Sequence, residues 1–260
     1  MDLQLNGRCA LVTGGSRGIG LAAARALAAE GADVALLART REPLERAALD
    51  LGAQSGRRIV AVVADTGDDE AVLAAVRSAV EALGAIDILV NAAATPATGA
   101  PPRDEDLEHE INVKVRGYLR CVRAVAPGMV ERGWGRIINV SGLAARQTGS
   151  ITGSIRNVAV AAMTKNLAEE LGPKGINVTV VHPGMTITEG SPARFRAMAL
   201  ALGRDPEAIE AEIASRVSIG RMVRAEEVAD VIAFLASPRS IALNGDAISA
   251  SGGARGAIHY

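Results

Sequence analysis

The stretch that most limits what this chain can become is Thr13-Gly-Gly-Ser-Arg-Gly-Ile-Gly20. A short apolar run, Cys9–Thr13, leads into it, and an Ala- and Leu-rich helical pattern leaves it. Glycines at a strand-to-helix turn let the backbone approach a pyrophosphate, and the helix N-terminus stabilises its charge. A second apolar run, Asp33–Ala38, follows at the distance a βαβ unit requires. Strand, glycines, helix and strand in this order imply a dinucleotide-binding turn.

The alternation continues. Strands are expected at 9–13, 33–38, 59–64, 86–91, 136–140, 177–182 and 247–249. Helices are expected at 18–30, 41–54, 69–83, 104–132, 154–172 and 225–236. Strands separated by helices predict a parallel sheet covered on both faces, with right-handed crossovers. The expected architecture is therefore α/β: one doubly wound Rossmann domain over 1–260, built on a seven-stranded parallel sheet. Order weakens between residues 185 and 220, where Ala, Arg and Met are frequent. An insertion after a strand's carboxyl end is expected to form a substrate lid over a ligand crevice.

Composition sets outer limits. With 260 residues, 49% of them hydrophobic, the chain can bury a large core, and with 2% aromatics that core must be aliphatic. A formal charge of −1 gives no electrostatic drive toward nucleic acid or an anionic membrane. No apolar run reaches the roughly 18 residues of a membrane helix, and the N-terminus lacks a signal-peptide profile. Cys9 and Cys121 lie far apart without metal-like spacing, as buried thiols of a reducing compartment do. The expectation is a cytoplasmic protein with a small-molecule substrate and no metal.

The second strand ends Leu36-Leu37-Ala38-Arg39, where an NAD-selective site usually carries an acid for the ribose 2′-hydroxyl. Arg39, together with Arg17 in the glycine turn, suits a 2′-phosphate instead, which favours NADP(H) over NAD(H). The alternative is that Arg39 is a solvated residue at a strand end.

These residues resemble the short-chain dehydrogenase/reductase family, over essentially the whole chain. Thr13-Gly14-x-x-x-Gly18-x-Gly20 is similar to that family's glycine motif, and Asp65 in Ala-Asp-Thr resembles its adenine-binding acid. Asn91-Ala-Ala-Ala94 resembles its Asn-Asn-Ala-Gly, and Pro183-Gly184 with Thr186 and Thr188 its segment beside the nicotinamide carboxamide. Arg221-Met-Val-Arg-Ala-Glu-Glu-Val-Ala229, Phe234-Leu-Ala-Ser237 and Gly252-Gly253 are similar to its C-terminal signatures. The resemblance implies a dinucleotide held by Gly14, Ser16, Arg17, Gly18, Ile19 and Gly20 at the pyrophosphate end. It adds Arg39, Asp65 and Thr66 near the adenosine, and Asn91, Ala92, Ala93, Pro183, Gly184 and Thr186 toward the nicotinamide. It also implies a homo-oligomer, a dimer or tetramer, assembled through the helices at 104–132 and 154–172.

The family's Asn-Ser-Tyr-Lys catalytic set is where the resemblance departs. Anchoring on Met163-Thr-Lys-Asn-Leu-Ala-Glu-Glu-Leu171 puts Gly153 at the Tyr position and Asn157 at the Lys position. Gly135-Arg-Ile-Ile-Asn-Val-Ser-Gly142 puts Gly142 at the Ser position, with Ser141 just before it. Ile111-Asn-Val-Lys-Val-Arg-Gly117 puts Lys114 at the Asn position. The only tyrosines are Tyr118 and Tyr260, so no shift of register restores one here. On a helix advancing about 100° per residue, Ile111, Val115, Tyr118, Val122, Val125 and Met129 form a buried stripe. Lys114 falls at its edge, roughly 60° from Ile111, and Asn112 farther round.

An ammonium and an amide thus exchange supporting helices, which makes Lys114, Ser141 and Asn157 the candidate catalytic residues. A partly buried Lys beside a cationic nicotinamide has a lowered pKa and can serve as acid, base or amine nucleophile. The alternative is a snorkelling helix residue. Ser150, Thr152 and Ser154 are further hydroxyls, and Ser154 also reads as a helix N-cap. Arg156, next to the Lys position, is expected to point elsewhere. Three functions stay open. One is an NADP(H)-dependent oxidoreductase on a carbonyl or alcohol with a non-standard proton donor. Another is a catalytically inactive cofactor-binding homologue, such as a partner subunit. The third is a non-redox, Lys-dependent enzyme acting on a carbonyl compound.

Overall fold

Side chains alternate across each strand, and both faces of the central strands are buried, while the two edge strands are only partly covered. A computed structural model describes residues 1–95 and 103–255; Tyr260 lies outside them. Strand β1 (Cys9–Thr13) leads to helix α1 (Gly18–Ala29), then β2 (Asp33–Ala38), α2 (Arg41–Ser55), β3 (Ile59–Val63) and α3 (Asp69–Leu83). The second half opens with β4 (Ile88–Asn91), α4 (Asp104–Glu110), a π-helical turn (Ile111–Arg116) and α5 (Gly117–Glu131). It continues with β5 (Gly135–Val140), α6 (Ile151–Leu171), β6 (Ile176–Pro183) and β7 (Thr186–Ile187). The last elements are α7 (Ser191–Leu202), α8 (Pro206–Ser215), β8 (Val223–Arg224), α9 (Ala225–Ala236) and β9 (Ala247–Ala250).

Seven strands form one parallel sheet in the order β3-β2-β1-β4-β5-β6-β9. Strand order reverses between β1 and β4, which opens a crevice at their carboxyl ends. Alternation divides the core as the period of two requires. Ala10, Val12, Val34 and Leu36 face α1, α2 and α9 through Leu27, Leu44, Val228 and Ile232. Leu11, Ala35, Leu37 and Leu89 face α3, α5 and α6 through Val76, Val125, Met129 and Leu167. Each such Leu, Val or Ile contributes about 1.5–3 kcal/mol when fully buried, so two aliphatic layers suffice without aromatics. This is the doubly wound, single-domain fold that the sequence pattern predicts. Cys9 and Cys121 are free and buried, and no helix among the described residues is long and apolar enough to cross a membrane.

Three details differ from the periodicity. The helix expected at 104–132 is broken by the π turn, where Gly117 N–H reaches back five residues to Asn112 O. A wider turn leaves a backbone carbonyl without its helical partner, and Thr66 Oγ1 donates to Val113 O at 3.1 Å. The helix expected to start at Ser154 starts at Ile151 instead. Its N-cap is Ser150, whose hydroxyl accepts from Gly153 N–H at 3.0 Å, while Ser154 Oγ donates to Gln147 O. Residues 185–220 hold two regular helices whose Phe195, Ala199 and Ile209 form a small cluster with Met222 just beyond the segment. Their caps are ordinary ones, Gly203 in the left-handed region after α7 and Asp205 before Pro206 on α8.

The glycine turn is steric as well as permissive. Gly14 has φ +66°, and a Cβ there would lie 2.9 Å from Ala92 O; a Cβ on Gly20 would lie only 2.3 Å from Gly14 O. Gly20→Ala is therefore expected to lower stability by about 3 kcal/mol, read as the midpoint of denaturant unfolding. An unchanged midpoint would show that the α1 N-terminus does not sit this close to the turn.

Candidate active site

The crevice is assembled by hydrogen bonds between strand ends. Thr13 Oγ1 accepts from Ala92 N–H at 3.0 Å and Ala93 N–H at 3.1 Å, pinning the loop after β4 to the turn after β1. Asn91 is fully buried, and its amide donates to Asn139 Oδ1, whose own amide donates to Thr164 Oγ1 on α6. The side chain of Asn91 thus points into the sheet. At the other strand ends, Asp65 Oδ1 accepts from Gly67 N–H, and Arg39 stands 3.8 Å from Asp65. Both are half exposed, so this ion pair contributes little. Ser16 and Ile19 are partly buried and Arg17 is exposed. On the opposite flank, Pro183 ends β6, Gly184 packs on Ser251 and Leu143, and buried Thr186 donates to Gly184 O.

Two observations bear on a dinucleotide in this crevice. Backbone approaches backbone at Gly14 as closely as only glycine permits. The N–H of Gly18, first residue of α1, already donates to an anionic partner, the carboxylate of Glu189, at 2.8 Å. The residues present therefore fit a pyrophosphate.

At the centre lies Lys114. Its ammonium donates to Asn157 Oδ1 at 2.9 Å and to Ser141 O at 3.0 Å, and the side chain is only 3% exposed. Ser141 Oγ in turn donates to Asn157 O. The three residues, from the π turn, the position just after β5, and α6, are thus brought into one cluster. Asn112 is not part of it; its amide donates to Gly67 O. Lys114 is neither at the edge of a stripe nor snorkelling. A uniform 100° advance does not count the extra residue of the π turn, which rotates Lys114 inward.

The two glycines have steric meaning here. A Cβ on Gly142 would lie 2.9 Å from Asn157 Nδ2, so Gly142 leaves room for the amide that holds Lys114. A Cβ on Gly153 would lie 2.8 Å from Ser150 Oγ, so Gly153 leaves room for the cap of α6. Tyr118 contributes no acid: its hydroxyl donates to Val140 O, the ring is fully buried, and burial pushes its pKa up.

Arg156 does not point away. Its guanidinium donates to Glu110 Oε2 at 2.7 Å and to Thr95 O at 2.8 Å, and the ion pair is buried. Glu110 precedes Lys114 by one helical turn, and Arg156 neighbours Asn157. Burial first and the Arg156 charge second lower the pKa of Lys114 to about 7, with Glu110 opposing both. Neither Glu110 nor Glu189 stands out in the sequence, each being one of 29 acidic residues. The one signal available is the four-residue spacing of Glu110 and Lys114.

Comparison with known proteins identifies the class. The pattern that defines the short chain dehydrogenases matches residues 8–198. The short-chain reductase protein NovJ of Streptomyces niveus is 36% identical over 247 residues, 94% of this chain and 92% of that protein. L-Sorbose reductase from Gluconobacter frateurii, solved with NADPH and L-sorbose, superposes with a TM-score of 0.93 at 31% identity, covering 99% of this chain and 100% of that one. An NAD+-bound xylitol dehydrogenase superposes at 0.89 with 29% identity, covering 96% of this chain and 100% of that one. The chain belongs to the short-chain dehydrogenase family.

A buried Lys with a depressed pKa makes stability depend on pH. The unfolded chain keeps this proton up to about pH 10.5 and the folded one only to about 7, so raising pH between those values favours folding. The wild type is expected to gain on Lys114→Met by up to about 1.4 kcal/mol per pH unit from pH 7 to 9, measured by denaturant unfolding. A stability difference independent of pH would mean that Lys114 keeps an ordinary pKa.

Proposed function

We propose that this chain is an NADP(H)-dependent oxidoreductase of a small carbonyl or alcohol substrate, in which Lys114 handles the proton. The observation that carries the reading is the hydrogen bonding of Lys114. A neutral amine has two N–H groups, which match Asn157 Oδ1 and Ser141 O. An ammonium has a third, so one proton can be gained or lost without breaking either bond. A pKa of about 7 makes both forms accessible.

A bound nicotinamide supplies or takes up the hydride. The chain's residues do the rest. The turn Gly14, Ser16, Gly18, Ile19 and Gly20 holds the pyrophosphate; Arg17 and Arg39 favour a 2′-phosphate; Asp65 and Thr66 shape the adenosine end. Ala92, Ala93, Pro183, Gly184 and Thr186, with the backbone of Asn91, flank the nicotinamide end, and residues 185–220 form the lid. NADPH in the L-sorbose reductase complex supports the phosphorylated cofactor, although the xylitol dehydrogenase carries NAD+. Ser141 and Asn157 position the Lys114 amine. Two buried free thiols suit the cytoplasm. Ile151, Ile155 and Val158 are 64%, 45% and 50% exposed along α6, an apolar stripe that a second copy would cover in a homodimer or homotetramer.

A second reading, a cofactor-binding subunit without turnover, is favoured by one observation. Lys114 is almost inaccessible, and its bonded acceptors belong to the protein.

The readings separate in two measurements, NADPH binding by fluorescence and turnover of a carbonyl panel. Lys114→Met and Lys114→Arg are expected to bind NADPH like the wild type and to lose about 10²- to 10⁴-fold in kcat. Reduction, which needs the ammonium, should fall above about pH 7, and oxidation, which needs the amine, should rise through it. Full activity in Lys114→Met would remove Lys114 from the chemistry. NADPH binding with no turnover of any substrate would favour the subunit reading.

A further inference from the structure

We propose that Glu189 is an internal competitor for the dinucleotide's pyrophosphate, seated on the glycine turn by the 185–220 segment. The inference rests on the dinucleotide reading above and adds a regulated occupant to that site. Glu189 Oε1 accepts the N–H of Gly18 at 2.8 Å, 171 residues away in sequence. This N–H opens α1, where the helix dipole favours an anion. The carboxylate therefore takes a donor that a pyrophosphate oxygen would use.

The contact is braced rather than accidental. Thr188 N–H donates to Ser191 Oγ, and Arg194 donates to both Ser191 Oγ and Thr186 O. Thr186 and Ile187 pair with Val223 and Arg224, which fixes the base of the turn that presents Glu189. Thr188 Cγ2 lies within contact distance of a Cβ placed on Gly18, so the segment packs on the turn itself. Two anions cannot share one N–H. A pyrophosphate arriving here must expel the Glu189 carboxylate, and residues 188–190, which lead directly into α7, lose that anchor. Cofactor entry and the position of the segment are coupled through this one exchange.

The test compares NADPH with adenosine 2′-monophosphate, which has no pyrophosphate, on the wild type, Glu189→Gln and Glu189→Ala. Glu189 is exposed and packs in no core, so the variants keep the fold. NADPH should bind about 3- to 10-fold more tightly to Glu189→Ala, with Glu189→Gln between it and the wild type. Adenosine 2′-monophosphate should bind all three alike. Unchanged or weaker NADPH binding by Glu189→Ala overturns the proposal, and so does an equal gain for both ligands, which would signal diffuse charge. If no protein binds NADPH, the dinucleotide reading fails and this inference with it.

Discussion

Taking an amine out of water costs several kcal/mol if it stays charged, and the site is built around how Lys114 meets that cost. Two acceptors from different elements, Ser141 O and Asn157 Oδ1, receive its N–H groups. Most of the unusual local sequence follows from this arrangement. Gly142 makes room for the Asn157 amide. The π turn rotates Lys114 toward β5 and α6, and Thr66 satisfies the carbonyl which that turn exposes. The Glu110–Arg156 pair packs alongside and tips the balance toward the neutral amine, because the positive partner outweighs the negative one.

The cofactor half depends on different physics. There the sheet's reversal between β1 and β4 opens a crevice, and close backbone packing at Gly14 and Gly20 sets its floor. Thr13 ties that floor to the loop after β4. The link between the halves is a chain of buried amides and hydroxyls, Asn91 to Asn139 to Thr164, running from β4 through β5 to α6.

Much of this fold is legible in the sequence because its signals are periodic. Strand runs such as Asp33–Ala38 and the helix over Asp69–Leu83 follow from alternation and amphipathicity, and the glycine turn from residue type at a strand end. The helix over residues 104–132 shows the limit: a π turn leaves no periodic trace, and one extra residue carries Lys114 from the rim to the interior. α6 starts at Ile151, three residues before the expected Ser154, because Ser150 is the one of the two serines that caps it. At the site, the gathering of Lys114, Ser141 and Asn157 could be anticipated by register. Glu110, Arg156 and Glu189 could not, since a carboxylate or guanidinium acquires its meaning from a partner distant in the chain.

The central claim concerns one proton, and it can be followed directly. A ¹³C-detected NMR titration of the Lys114 side chain, assigned with Lys114→Arg, reports the charge on its nitrogen. The expected result is a transition near pH 7. A Lys114 transition at the ordinary lysine value near 10.5 would contradict that charge state.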